Sequence, residues 1–162
     1  MHPLIDFQLL LLIALANVAP LIGKRILGGS LAHPLDGGRA FFDGRPLFGA
    51  SKTVRGILLA VLLASVAAPL VGLPAAIGAR VAGAAMAGDL LSSFVKRRLG
   101  LPPSSKATGL DQIPESLLPL LACRSPLSLT IADIAAVVAV FFVGEVVLSR
   151  LFYRLGLRDR PY

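Results

Sequence analysis

Residues Gly56 to Val95 read GILLAVLLASVAAPLVGLPAAIGARVAGAAMAGDLLSSFV, and this stretch decides the fold. It carries no charge before Arg80 and only Asp89 after it. An apolar run of this length amounts to two bilayer crossings at roughly 20 residues each. Gly72-Leu73-Pro74 is the natural turn between them, because proline opens a helix readily but does not continue one. Outward from this pair, an earlier apolar block runs from Leu4 to Ile22, uncharged between Asp6 and Lys24. A later one runs from Leu127 to Leu148 and ends in Arg150 and Arg154. Ile113 to Ala122 is also apolar, but as a helix it would be only about 15 Å long. Hydrophobic residues make up 56% of the 162 and charged residues 15%. With a mean hydropathy of +0.80, a disordered chain, a disulfide-stapled module and an ordinary cytosolic enzyme are excluded. The single cysteine, Cys123, closes no internal bridge, and no Cys/His spacing suggests zinc.

Charge placement decides whether the short piece crosses. Lys24, Arg25, Arg39, Arg45, Lys52 and Arg55 fall in the first long loop. Lys96, Arg97, Arg98 and Lys106 fall in the second, and Arg150, Arg154, Arg158 and Arg160 follow the last block. Five crossings put all three clusters on one side, which the excess of Lys and Arg makes cytoplasmic. Four would send the C-terminal arginines outside. The expectation is therefore an all-α integral membrane protein, residues 1–162 forming one domain. It has five transmembrane helices, the N-terminus outside and the C-terminus cytoplasmic, with two cytoplasmic loops forming the active site. The fourth helix is short because it starts deep, in a water-filled cavity. A cleaved signal peptide competes for the first block, since Ala14-Leu15-Ala16 resembles a cleavage site. Met1 to Asp6 lacks the basic residues such a peptide needs.

The reactive residues concentrate on that basic side. The first loop, HPLDGGRAFFDGRPLFGASKTVRG from His33 to Gly56, mixes Asp36, Asp43, Arg39, Arg45, Lys52 and Arg55 with glycines. Such loops turn sharply and present N–H groups to phosphate oxygens. Gly44 and Gly49 have P-loop separation, but Ala50 and Ser51 intervene before Lys52-Thr53, so the Walker spacing fails. The plain alternative is a basic loop resting on acidic headgroups. In GDLLSSFVKRRLG, Gly88 to Gly100, Asp89, Ser92 or Ser93, and Lys96 form one polar stripe on an apolar helix. An ionisable Asp89 two turns inside a span faces a cavity or a partner; a structural pair with Lys96 or Arg80 is the alternative. In GLDQIPES, Gly109 to Ser116, Asp111 and Glu115 share a face at i, i+4. Two carboxylates beside a basic cluster suit Mg²⁺, which takes carboxylate, water and phosphate oxygens together. Capping by Asp111, with Glu115 complementing the dipole, would explain them equally. Asp133 and Glu145 receive no role, and His2 and His33 lack ligand spacing.

Taken in order, ANVAP (from Ala16), PLDGG…GASKTVRG, GDLLSSFVKRRLG and LDQIPES resemble the CDP-archaeol synthase family and its bacterial homologues. These belong to the wider phosphatidate cytidylyltransferase superfamily. The resemblance covers roughly 15–121, and the combination of segments is far more specific than any one. It implies a five-helix membrane enzyme that condenses CTP with a lipid glycerol phosphate, releasing pyrophosphate and requiring Mg²⁺. The archaeal substrate is an unsaturated geranylgeranyl glycerol-1-phosphate diether. By the same resemblance Asn17 and Pro20 mark the first motif, and Asp36, Lys52, Thr53 and Arg55 belong to a loop that closes over nucleotide. Asp89, Ser93, Lys96, Arg97 and Asp111 form the core of the CTP–Mg²⁺ site, with Asp89, Asp111 and Lys96 catalytic. Arg55 or Arg39 receives the lipid phosphate. One position departs: Pro114 stands where the family commonly has a second aspartate. Glu115 is the substitute metal ligand, and the change marks a bacterial-type subgroup. The implied partners are CTP, the lipid phosphate and the bilayer, with no nucleic acid. A small transporter or lipid-binding protein would use Asp89, Asp133, Glu145 and Arg80 as a pathway, but needs no basic glycine-rich loops. A CDP-alcohol phosphotransferase is a closer rival, yet its aspartate pattern is not met after Asp36.

Overall fold

The computed structural model describes residues 2–103, 105 and 107–154. Lys106, Arg158 and Arg160, and with them the expected end of the chain, lie outside the described residues. Five α-helices follow in order: α1 (Pro3–Leu27), α2 (Val54–Leu70), α3 (Ala75–Arg98), α4 (Gln112–Cys123) and α5 (Ile131–Arg154). The turn expected at Gly72 to Pro74 separates α2 from α3, Gly72 taking a φ of +87°. The short fourth helix spans 12 residues, with Pro114 in its first turn, where proline is tolerated. Central α3 packs against α1, α2 and α4, and α5 closes the bundle against α4 and α1.

The bundle is sorted by size. On α2, Ala60, Ala64 and Ala68 are buried, whereas Leu58, Leu62, Val66 and Leu70 on the opposite face are 59–84% exposed. Small residues inward and large apolar ones outward is the reverse of a soluble helix, and suits packing in lipid. Gly78 lies against the Ala64 backbone, where a Cβ would collide. One end of the core is built from Leu9, Leu12, Ile13, Ile77, Val81, Leu120 and Phe141. Toward the other end it narrows to Ala16, Ala19, Ala60, Ala82, Ala85 and Met86. Among the described residues two helical stretches, Pro3–Leu27 and Ile131–Leu148, are long and apolar enough to cross a membrane by themselves. At the large-residue end Thr130 caps α5, its Oγ1 accepting from the Asp133 N–H (3.2 Å), and the Asp133 carboxylate accepts in return from the Thr130 N–H (2.8 Å) and hydroxyl (2.7 Å). That carboxylate also accepts from the backbone N–H of His2 (2.8 Å), which ties the start of α1 to α5.

Candidate active site

At the small-residue end, the α1–α2 and α3–α4 loops lie together over a cavity of about 620 Å³. The first of these loops pairs with itself. The Leu35 N–H donates to the Lys52 carbonyl (2.7 Å) and the Val54 N–H to that of His33 (3.2 Å). That ladder delivers Lys52 and Thr53 to the start of α2. Thr53 is the N-cap, its Oγ1 accepting from the Gly56 N–H at 3.2 Å. Arg98, at the end of α3, anchors the loop tip through Asp43 (2.9 Å) and stacks against Phe41. Arg45 returns the contact to the Arg98 carbonyl at 2.5 Å. These guanidiniums are therefore spent on docking the loop.

Every helix contributes to the cavity wall. Asn17 and Pro20 come from α1, Lys52, Thr53 and Arg55 from the start of α2, and Asp89 and Lys96 from α3. Asp111, Gln112 and Glu115 come from the start of α4 and Glu145 from α5. Two ion pairs organise this wall. Lys52 Nζ sits 2.5 Å from both carboxylate oxygens of Asp89. Lys96 Nζ sits 2.6 Å from Asp111 Oδ1 and donates to the Ser105 carbonyl at 2.9 Å. Thus Asp89 pairs with neither Lys96 nor Arg80, and the two stripe residues of α3 hold partners from different loops. Asp111 does not cap α4; its second oxygen accepts from the Ala107 N–H at 3.0 Å. Glu115 is buried, its carboxyl beside that of Asp89 and near Lys52 and Glu145. The close approach of α4 to α3 depends on Gly88, since a Cβ there would strike the Pro114 carbonyl. Pro114 therefore supplies a backbone contact where a carboxylate was sought, and Glu115 alone presents one. The Asn17 side-chain nitrogen is buried and has no hydrogen-bond partner among the described residues, so it has a donor to offer.

Four residues expected at the substrate do not line this cavity. Asp36 is a loop clamp: its carboxylate accepts from the N–H groups of Gly38, Phe48 and Gly49, each at 3.0 Å. The bond to Gly38, two residues on, is an Asx turn, a signal that PLDGG already carried. Arg39 is exposed on the loop's outer side. Ser93 and Arg97 are buried and do not form the cavity lining, although the Arg97 guanidinium lies near Asp111, which does. Arg55 lines the wall, but its guanidinium also donates to the carbonyls of Gly28 (3.1 Å) and Ser30. Conversely, Lys24, Gln112 and Glu145 line the cavity, although no motif marks them as site residues. Lys24 was visible as a cation ending the first apolar block. Nothing in α5, apolar nearly all round, fixed which way Glu145 faces.

Burial alone would raise the Asp36 carboxyl, but the N–H donors of Phe48, Gly49 and Gly38 outweigh it and hold the group below the ordinary aspartate range. A depressed carboxyl contributes stability above its unfolded value, about 3.9, and loses it as pH falls through the folded one. Asp36→Ala should therefore cost about 1–3 kcal/mol at neutral pH. Thermal unfolding of detergent-solubilised protein should show the gap from wild type shrinking once pH drops below the usual carboxylate range. A constant gap across pH would assign the loss to something other than the charged clamp.

Comparison with known proteins decides the family. The family model described as CarS-like, CDP-archaeol synthase, matches residues 75–162, which include α3 and α4. The CDP-archaeol synthase of Pyrobaculum calidifontis is 36% identical over 162 residues, covering 96% of this chain and 97% of its own. The chain belongs to the CDP-archaeol synthase family. The Sulfurisphaera tokodaii synthase is 34% identical over 80% of this chain and 81% of its own. That of Pyrococcus furiosus is 38% identical over 69% and 70%. A solved structure described as an intramembrane enzyme for archaeal membrane lipid biosynthesis superposes with a TM-score of 0.74 at 30% identity. It covers 87% of this chain and 90% of its own. These relatives are named for the archaeal lipid, and despite Pro114 they give no support to a bacterial-type subgroup.

Proposed function

We propose that this chain is a multi-pass integral membrane CDP-archaeol synthase, a single domain whose cavity transfers the cytidylyl group of CTP to an archaeal diether lipid phosphate. The observation that carries the reading is the cavity wall itself. Lys52, Thr53, Asp89, Lys96, Asp111 and Glu115 come from three separate stretches of sequence and meet at one end of an apolar bundle. Family membership and the match to an intramembrane enzyme point the same way. The outward Leu58, Leu62, Val66 and Leu70 favour α2 as a crossing helix in addition to the two longer apolar ones. With five crossings, the basic residues of both cavity loops put that end in the cytoplasm, where CTP is available.

In the reaction an oxygen of the lipid phosphate attacks the α-phosphorus of CTP, and the bond from that phosphorus to the bridging oxygen breaks. Cytidine monophosphate stays on the lipid and pyrophosphate leaves with the electron pair. The nucleophile is already an anion, so no strong base is required. The barrier is the approach of two anions, and catalysis is positioning with charge neutralisation. Lys52 and Lys96 hold the triphosphate oxygens by charge-assisted hydrogen bonds. Thr53, whose cap uses only its oxygen as acceptor, keeps a hydroxyl hydrogen to donate, and Asn17 keeps its amide. Lys24 and Arg55, at the cavity rim near the end of α1, receive the lipid phosphate while its tails remain among the apolar helices.

The wall also fits Mg²⁺. Asp89 and Glu115 present hard oxygen donors side by side, with Asp111 on the same cavity. Among the described residues no three such side chains converge on one point. Mg²⁺ ordinarily uses one or two carboxylates plus water and phosphate oxygens, so two suffice. When bound, it would offset the triphosphate charge and polarise the phosphoryl oxygens.

A panel of lipid phosphates tests the substrate. Purified protein with labelled CTP and Mg²⁺ should move label into the organic phase with an unsaturated diether glycerol-1-phosphate. The diester glycerol-3-phosphate should be a poorer acceptor. Equal label with the diester would remove the archaeal assignment, and label with neither would remove the activity.

A further inference from the structure

We propose that Lys52 and Lys96 are built-in counter-ions that close the acidic wall to a divalent cation until a nucleoside triphosphate draws them away. The inference rests on the active-site reading above and adds an order to it. Lys52 covers both oxygens of Asp89 at 2.5 Å, on the face that a metal ion would use. Lys96 covers Asp111 at 2.6 Å and is steadied by the Ser105 carbonyl. Both pairs are largely shielded from water, with side-chain exposures of 22% and 18% for the first and 8% and 15% for the second. Glu115, beside Asp89, and Glu145 line the same cavity from α4 and α5.

A divalent ion arriving alone would have to expel an ammonium into the same cavity, leaving two like charges side by side and one of them without a partner. Such an uncompensated charge is costly in a shielded site. A triphosphate removes the conflict. Lysine is a point charge on a long flexible stem and can swing from carboxylate to phosphate while staying paired. The carboxylates it leaves are then free to take the metal. Cation and nucleotide binding are in this way coupled, and by linkage each strengthens the other equally.

Equilibrium dialysis of detergent-solubilised protein against Mn²⁺, without lipid acceptor so that nothing turns over, reads this directly. Wild type should retain no saturable Mn²⁺ alone and should retain it when CTP is added. Lys52→Met should bind Mn²⁺ without nucleotide, its affinity raised on the order of tenfold or more, and Mn²⁺ should raise its thermal midpoint. Adding Asp89→Asn to that variant should abolish the gain. Lys52→Gln serves in the same way if the methionine variant does not fold. Wild type that binds Mn²⁺ equally well with and without CTP overturns the proposal, as does absence of any gain in both Lys52 variants. Wild type that retains no Mn²⁺ even with CTP overturns the active-site reading beneath it.

Discussion

Asp89→Asn should lower CTP-dependent product formation by about 10²–10⁴-fold, with the protein still folded and membrane-inserted. The asparagine has the shape of the aspartate, so helix packing around α3 is not asked to change. What disappears is the charge that pairs with Lys52 at 2.5 Å and stands beside Glu115. A carboxylate that holds a metal against a phosphoryl group is worth several kcal/mol of transition-state stabilisation, and each 1.4 kcal/mol is about tenfold in rate. The freed Lys52 keeps 22% of its side chain in contact with solvent, which limits the stability cost. The assay is initial-rate formation of labelled lipid, paired with size-exclusion elution and a thermal midpoint. Activity within tenfold of wild type in a well-folded variant would remove Asp89 from the reaction.

Gly88→Ala carries the second large effect, and it acts through backbone. A Cβ at this position would run into the Pro114 carbonyl and the Glu115 nitrogen, neither of which can rotate aside. The start of α4 must then move off α3, taking Glu115 away from Asp89. Overpacking of this kind costs about 1–3 kcal/mol, and a displacement near 1 Å at a reacting centre costs about 10²-fold in rate. Gly83, five residues earlier on the same helix, has open space where its Cβ would go. Gly83→Ala should therefore leave rate and midpoint close to wild type. Equal behaviour of the two variants would show that the α3–α4 approach does not set the site.

The helices were legible because uncharged runs between basic loops leave little freedom: Gly72 to Pro74 marked the α2–α3 turn, and the weak Ile113–Ala122 run became α4. That Asp89, Lys96, Asp111 and Glu115 would meet at one cavity was legible as well, because ionisable groups inside or beside apolar helices are expensive unless they share a cavity or a partner. Partner choice was not. Asp89 finds Lys52, 37 residues away, and Lys96 finds Asp111; such long-range pairings depend on how two loops cross, which no local pattern encodes. Asp36 misled for a related reason. A carboxylate in a glycine-rich basic loop looks like a phosphate neighbour, but its oxygens were needed by the N–H groups of its own turns. Glu145 shows the remaining gap, since the rotation of an apolar helix about its axis is set by tertiary packing.

In the proposed reaction one cavity brings an anionic lipid to the α-phosphorus of CTP. Parallel reactions with CTP labelled at the α- or the γ-phosphorus test it most directly. The α-label should enter the lipid fraction and the γ-label should stay in water as pyrophosphate, both at the same rate and both lost in Asp89→Asn. Transfer of γ-label to lipid, or transfer of α-label that persists without Asp89, would contradict it.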